Sequence, residues 1–272
     1  MDPISIPRSE VAPMDEVAAG VRGLRIAFVN VFAITYPDGA WTLIDAGLPF
    51  TASAIQSWTR KFTASPPNCI VLTHGHFDHV SAARDLADVW NVLIYAHPQE
   101  APYLNGQKEY ATPNFTAGGG TMSLLSPLYP RGPVNLGNRL RLFQTDESSI
   151  LSEMPGWEIV HTPGHTPGHV SFFRPEDRCL IAGDAFCTMK PESFFEAAVT
   201  QSPELHGPPA YFTSDWDLAR KSVELLSHLN ADVVAPGHGQ PLRSATLPQK
   251  LRQLAAHFDE LAMRENRKDK AA

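Results

Sequence analysis

The sequence predicts an α/β fold. Three observations carry that reading: short strand-like apolar runs, a strand, helix, strand alternation across residues 69–95, and 43% hydrophobic residues in a chain of 272. That apolar content can fill a two-layer core at this length, so a single domain over residues 1–272 is expected.

Residues 24–34 and 41–45 read as strands joined by a turn at Pro37-Asp38-Gly39, an opening hairpin. Residues 51–62 read as a helix, 69–73 as a strand, 78–90 as a second helix and 92–95 as a returning strand. Further strands are expected at 139–143, 157–161, 170–173, 179–181 and 233–235, with a helix at 216–229 and a polar C-terminal helix at about 247–267. No internal repeat is visible.

Two stretches resist a regular assignment and are expected to be cap-like insertions, at about 98–137 and 189–212. The first contains Pro102, Gly106, Gly118-Gly119-Gly120 and Pro127, Pro130 and Pro133, too many breakers for one regular element. Long irregular segments in a compact domain are usually functional lids or partner contacts. The apolar side chains of the first, including Phe115, Met122, Leu124, Leu125, Leu128 and Tyr129, suit a cover over an acyl chain or a homodimer contact equally. The second is similarly mixed, with Phe194, Phe195, Tyr211 and Phe212.

A net charge of −7 implies no broad basic surface, and the short run 264–270 is interrupted by acids, so no nucleic-acid partner is expected. The amino terminus lacks a basic segment followed by an apolar one, and no run approaches the roughly 18 apolar residues of a membrane span. A cytoplasmic protein with no membrane partner is the expectation. Cys69, Cys179 and Cys187, odd in number and unpatterned, argue against a disulfide framework. Cys187 falls three residues after Asp184 and is expected to be a packed thiol.

The most informative stretch is Thr73-His74-Gly75-His76-Phe77-Asp78-His79, directly after an apolar run. A strand that ends in a turn can aim several side chains at one point, and imidazole with carboxylate suits zinc, iron, manganese or cobalt. Further candidates follow: His165 and His169 in a Pro-Gly-rich segment, Asp184 in Gly183-Asp184-Ala185, and His238 in Pro236-Gly237-His238-Gly239. His161, His165 and His169 are spaced as on one helix face, but Pro163 and Pro167 remove backbone donors and make the segment a turn.

Through these five blocks, in this order across about residues 20–245, the chain resembles the metallo-β-lactamase superfamily of hydrolases, in its binuclear glyoxalase II and lactonase-like branch. The resemblance implies a four-layered αββα sandwich and two divalent metal ions, with zinc the first expectation. It implies His74, His76 and His165 as ligands of the first metal, Asp78, His79 and His238 as ligands of the second, and Asp184 as the bridge. True β-lactamases of the family generally lack a carboxylate bridge, so the family name is a poor guide to substrate. His169 is a candidate for orienting groups behind the ligands.

Two divalent ions, offset by Asp78, Asp184 and a bridging hydroxide, leave roughly one net positive charge, which attracts a carbonyl oxygen and an anionic leaving group. Coordination lowers the pKa of water toward neutrality, so the hydroxide can attack an acyl carbon. Asp78 is the candidate for orienting it and shuttling the proton. In the lactonase branch a phenol often assists carbonyl polarisation, and Tyr211 lies in the matching interval.

The expected activity is hydrolysis of a carboxylic ester in a small molecule, with a lactone ahead of a thioester. Glyoxalase II grips glutathione with a helical C-terminal domain, whereas residues 239–272 suffice for one helix and a tail. A mononuclear iron persulfide dioxygenase, a phosphodiesterase and, last, a non-enzymatic metal-binding or interaction module are the remaining alternatives.

Overall fold

The computed structural model describes residues 3–117, 120–144, 151–191 and 202–262. A short pair joins β1 (Ile4–Ser5) to β11 (Glu204–Leu205). The larger sheet has six strands in chain order: β2 (Val21–Ile26), β3 (Val29–Thr35), β4 (Trp41–Ile44), β5 (Cys69–Val71), β6 (Leu93–Ala96) and β7 (Leu140–Leu142). The second sheet is built from β8 (Glu158–His161), β9 (Val170–Arg174), β10 (Cys179–Gly183), β12 (Val233–Pro236) and β13 (Leu242–Arg243), in the spatial order β13-β12-β10-β9-β8.

The sheets meet through one apolar layer, in which Ile34, Ile44 and Val71 of the first pack with Val170, Phe172 and Ile181 of the second. Each fully buried Phe or Ile there contributes roughly 1.5–3 kcal/mol. The outer face of the first sheet is covered by α1 (Ala52–Thr59) and α3 (Ala83–Trp90). The outer face of the second is covered by α6 (Trp216–His228), α7 (Leu247–Ala256) and α8 (Phe258–Ala262). Helix α6 is capped by Asp215, whose side chain accepts from Leu218 N–H at 2.9 Å, and buries Ala219, Val223 and Leu226 as one stripe. The result is the αββα sandwich that the family resemblance implies.

Three assignments need correction. Residues 24–34, read as one strand, are two: β2 and β3 fold back on each other around Ala27-Phe28, and β3 then pairs with β4 across the expected Pro37-Asp38-Gly39 turn. No Gly, Asn or Pro marks the Ala27-Phe28 turn, because Ala27 itself takes the left-handed conformation, φ +56°. The helix expected over 78–90 is two, α2 (Phe77–Val80) and α3. The His79 carbonyl accepts from Ala46 N–H at 2.6 Å instead of continuing the helical ladder. The C-terminal helix breaks at His257 between α7 and α8, and its expected end past residue 262 lies outside the described residues.

The first insertion contains short helices, α4 (Ala101–Leu104) and α5 (Thr121–Leu125), between irregular stretches. Of the second, Phe194 and Phe195 lie outside the described residues. Among the described residues no helix is long and apolar enough to cross a membrane.

Strands β4, β5, β6 and β7 run parallel, as do β10 and β12. Their carboxyl ends therefore open at shared edges, where loops gather side chains from distant parts of the chain.

Candidate metal centre

The loop after β5 supplies His74 and His76, and α2 supplies Asp78 and His79. The β8–β9 loop supplies His165, the end of β10 supplies Asp184 and the end of β12 supplies His238. All seven are buried, at 6% exposure or less. Three groups bring ligand atoms within 4.8 Å of one another: His74, His76 and His165; His74, His79 and Asp184; Asp78, His79 and His238. The first and third are the two ligand sets named by the resemblance.

His76 Nδ1 lies 3.1 Å from His74 Nε2 and 2.9 Å from His165 Nε2. Asp184 touches both groups, with Oδ1 3.4 Å from His79 Nε2 and Oδ2 3.4 Å from His165 Nε2 and 3.1 Å from His238 Nε2. Asp78 Oδ2 is 3.5 Å from His238 Nε2.

The far sides of the rings are tied to oxygen atoms, which fixes which nitrogen turns inward. His79 Nδ1 donates to Asp45 Oδ2 at 2.8 Å and His238 Nδ1 donates to the Phe28 carbonyl at 2.8 Å. His165 Nδ1 donates to Thr213 Oγ1 at 3.2 Å. His74 Nδ1 donates to Thr73 Oγ1 at 3.0 Å, and that hydroxyl donates to Asp45 Oδ2 at 2.9 Å. His169 stands behind Asp184: its Nε2 accepts the Asp184 N–H at 2.8 Å while Nδ1 faces Thr162 oxygens at 2.8 and 3.1 Å.

The donor set fits divalent cations. Among the described residues, His79 Nε2 and Asp184 Oδ1 are buried without a hydrogen-bond partner, an arrangement that costs free energy unless something else satisfies them. Burial, reinforced by neighbouring imidazoles, holds His74 and His76 well below the usual histidine range, and burial brings His165 down to about 4 against the pull of Asp184. These three are neutral near pH 7, the form that binds a cation. Burial also opposes the charge on His79, but Asp184, Asp45 and Asp78 outweigh it and raise this imidazole well above its usual range. Burial raises Asp78, while Asp184, despite burial, is held well below the carboxylate range by His238 and His79.

Two carboxylates at the centre had no motif to mark them. Asp45 is the residue after β4; besides holding His79 and Thr73 Oγ1, its Oδ1 accepts the Thr73 N–H at 2.8 Å. Glu100, fully buried after β6, accepts from groups on both histidine loops. The position of Asp45 directly after a strand is a signal that was available; Glu100 closes the short 3-10 turn Pro98–Glu100, four residues beyond β6, and carries no such signal.

Tyr211 is placed in an aromatic wall, its ring 5.1 Å from Phe212 and 6.2 Å from Tyr129. Phe212 lies 4.7 Å from His76, and Phe77 lies 5.5 Å from Tyr129. Cys187 is buried, its backbone paired with His206.

The metallo-beta-lactamase superfamily model matches residues 24–238. The chain is 38% identical over 245 residues to "Probable metallo-hydrolase YflN" of Bacillus subtilis, covering 88% of this chain and 91% of that protein. It is 32% identical to the uncharacterized protein YobT of the same organism, covering 78% and 83%. Among solved structures it resembles BLEG-1 B3 metallo-beta-lactamase, with TM-score 0.60, 23% identity and 89% and 99% coverage. It also resembles TTHA1623 in a di-iron-bound form, with TM-score 0.54, 24% identity and 82% and 93% coverage.

Proposed function

Since this chain belongs to the metallo-β-lactamase superfamily, we propose that it is a metal-dependent hydrolase holding two divalent cations and cleaving a carboxylic ester bond, with a lactone as the favoured substrate. The observation that carries the proposal is the convergence of seven buried imidazole and carboxylate side chains in two groups joined by Asp184. His74, His76 and His165 would hold one cation, Asp78, His79 and His238 the other, with Asp184 between them. Imidazole and carboxylate serve zinc, iron, manganese and cobalt, and one structural neighbour carries two irons. Bound there, the cations would supply Lewis acidity and water activated near neutral pH.

The chain's own groups then divide the work. Asp78, beside His238 at 3.5 Å, orients the attacking water, takes its proton and returns it to the departing oxygen as the acyl carbon–oxygen bond breaks. Tyr211, in the aromatic wall with Phe212 and Tyr129, would be the phenol that assists polarisation of the acyl carbonyl. Phe77, Tyr129 and Phe212 form an apolar wall beside His76 that suits the uncharged body of a small acyl substrate and limits access of bulk water. Thioesters are the second reading, because the same centre can receive a thiolate.

The test is proton release in weak buffer when the metal-loaded protein meets short- and long-chain acyl lactones and the corresponding thioesters, with Asp184→Ala as control. Lactone turnover that disappears in Asp184→Ala is the expected result. Turnover of thioesters alone would reverse the order of substrates. Rates equal to those of Asp184→Ala on both series would remove the ester-hydrolase reading.

A further inference from the structure

Glu100 lies on neither histidine loop, yet it binds both. Its Oε2 accepts the Gly75 N–H at 2.9 Å, from the loop that carries His74 and His76. Its Oε1 accepts the Gly168 N–H and the Thr166 hydroxyl, each at 2.8 Å, from the loop that carries His165. The Tyr110 hydroxyl, from the first insertion, completes the set on Oε2. The carboxylate is fully buried, and no cation pairs with it among the described interactions; its charge is met by four donors.

Packing leaves little freedom around this arrangement. A Cβ on Gly75 would fall 2.5 Å from the Tyr110 hydroxyl and 3.2 Å from Glu100 Oε2, and one on Gly168 would fall 2.8 Å from Glu100 Cγ and backbone nitrogen. Each histidine loop thus presents a glycine to the same side chain, and the backbones come as close as hydrogen bonding to one carboxylate requires. The Tyr110 ring also packs edge-on against His76 at 4.5 Å and stacks on Tyr103 at 3.9 Å.

We propose that Glu100 is a positioning residue that sets the spacing between the His74/His76 loop and the His165 loop, and that Tyr110 ties the first insertion to that spacing. The inference rests on the metal-centre reading above. A carboxylate is required because it offers acceptor capacity at both oxygens. A glutamine of the same shape offers one acceptor oxygen and one donor nitrogen, so either the Gly75 or the Gly168 N–H would face another donor. One loop would be released while the volume stayed filled.

The experiment compares the cobalt-substituted and zinc-loaded full-length protein with Glu100→Gln and Thr166→Val, reading metal affinity by chelator competition and coordination by the visible cobalt spectrum. Glu100→Gln is expected to weaken binding about 10–100-fold, the range for groups that orient metal ligands, with a changed cobalt spectrum. Thr166→Val, which removes one donor and leaves Glu100 in place, should move both readouts in the same direction by less. A residue serving only to stabilise the fold would lower the thermal midpoint and leave the cobalt spectrum of the folded protein unchanged; that result overturns the proposal. If Glu100→Gln does not fold, Thr166→Val decides by the same criterion. Failure of the wild-type protein to bind metal would instead overturn the underlying metal-centre reading.

Discussion

Replacing Asp45 with Asn tests how the centre chooses its ligand nitrogens. In the native arrangement Asp45 Oδ1 accepts the Thr73 N–H at 2.8 Å, and Oδ2 accepts from Thr73 Oγ1 at 2.9 Å and His79 Nδ1 at 2.8 Å. An asparagine that keeps its oxygen on the Thr73 amide turns its NH2 toward His79. His79 must then lose the bond or move its proton to Nε2, the atom 3.4 Å from Asp184 that the metal would use. Flipping the amide restores His79 and orphans the Thr73 N–H. Either way one buried, charge-assisted hydrogen bond is lost, worth about 1.5–3 kcal/mol, or roughly 10–150-fold in affinity at 1.4 kcal/mol per decade. The loss should fall on the site of Asp78, His79 and His238. Metal content after dialysis in chelator-buffered zinc, with chelator competition for each site, measures it. An Asp45→Asn protein that keeps two metals at wild-type affinity would refute the tautomer argument.

Tyr211→Phe should keep its metal content, and if the phenol polarises the acyl carbonyl it should lower kcat about 100-fold, the scale for removing one donor to a developing oxyanion; steady-state kinetics on the best substrate decides. His97 is depressed to about 4 by burial and by His161, whose ring stacks on it at 4.2 Å. Its folded value lies below the unfolded value of about 6.5, so its contribution to stability is complete above pH 6.5 and is lost as pH falls toward 4. Urea midpoints of the metal-free protein should fall across that window, and His97→Asn should make the fall shallower; equal slopes would count against it.

The convergence at the centre was legible where the chain writes its residues close together or between breakers. His74 to His79 sit on one turn, and Pro163 and Pro167 exposed the β8–β9 segment as a loop rather than a helix. Asp45 and Glu100 were not legible, because what they do depends on partners far away in sequence: Asp45 meets His79 and Glu100 meets Gly168 only once the parallel strands have aligned. As a sequence, Asp45 is an acid at the end of an apolar run and Glu100 an acid four residues past one. The β2–β3 turn was missed for a local reason: it uses Ala27 at positive φ, a choice that turn-residue chemistry disfavours. Strands β1, β11 and β13, of two residues each, are too short to show an alternation.

That two-residue turn constrains how the gene can vary. Phe28 serves His238 through its backbone carbonyl, and two residues further Asn30 holds the β12 end, its Nδ2 donating to the carbonyls of Pro236 at 2.9 Å and Gly239 at 2.7 Å. A carbonyl can come from any amino acid, so the identity at position 28 is open to drift as far as this bond is concerned. The length of the turn is not: one codon inserted or deleted there would move the carbonyl away from the imidazole and Asn30 out of register together. Length polymorphism should therefore be tolerated at the solvent-facing Pro37-Asp38-Gly39 turn and purged at Ala27-Phe28.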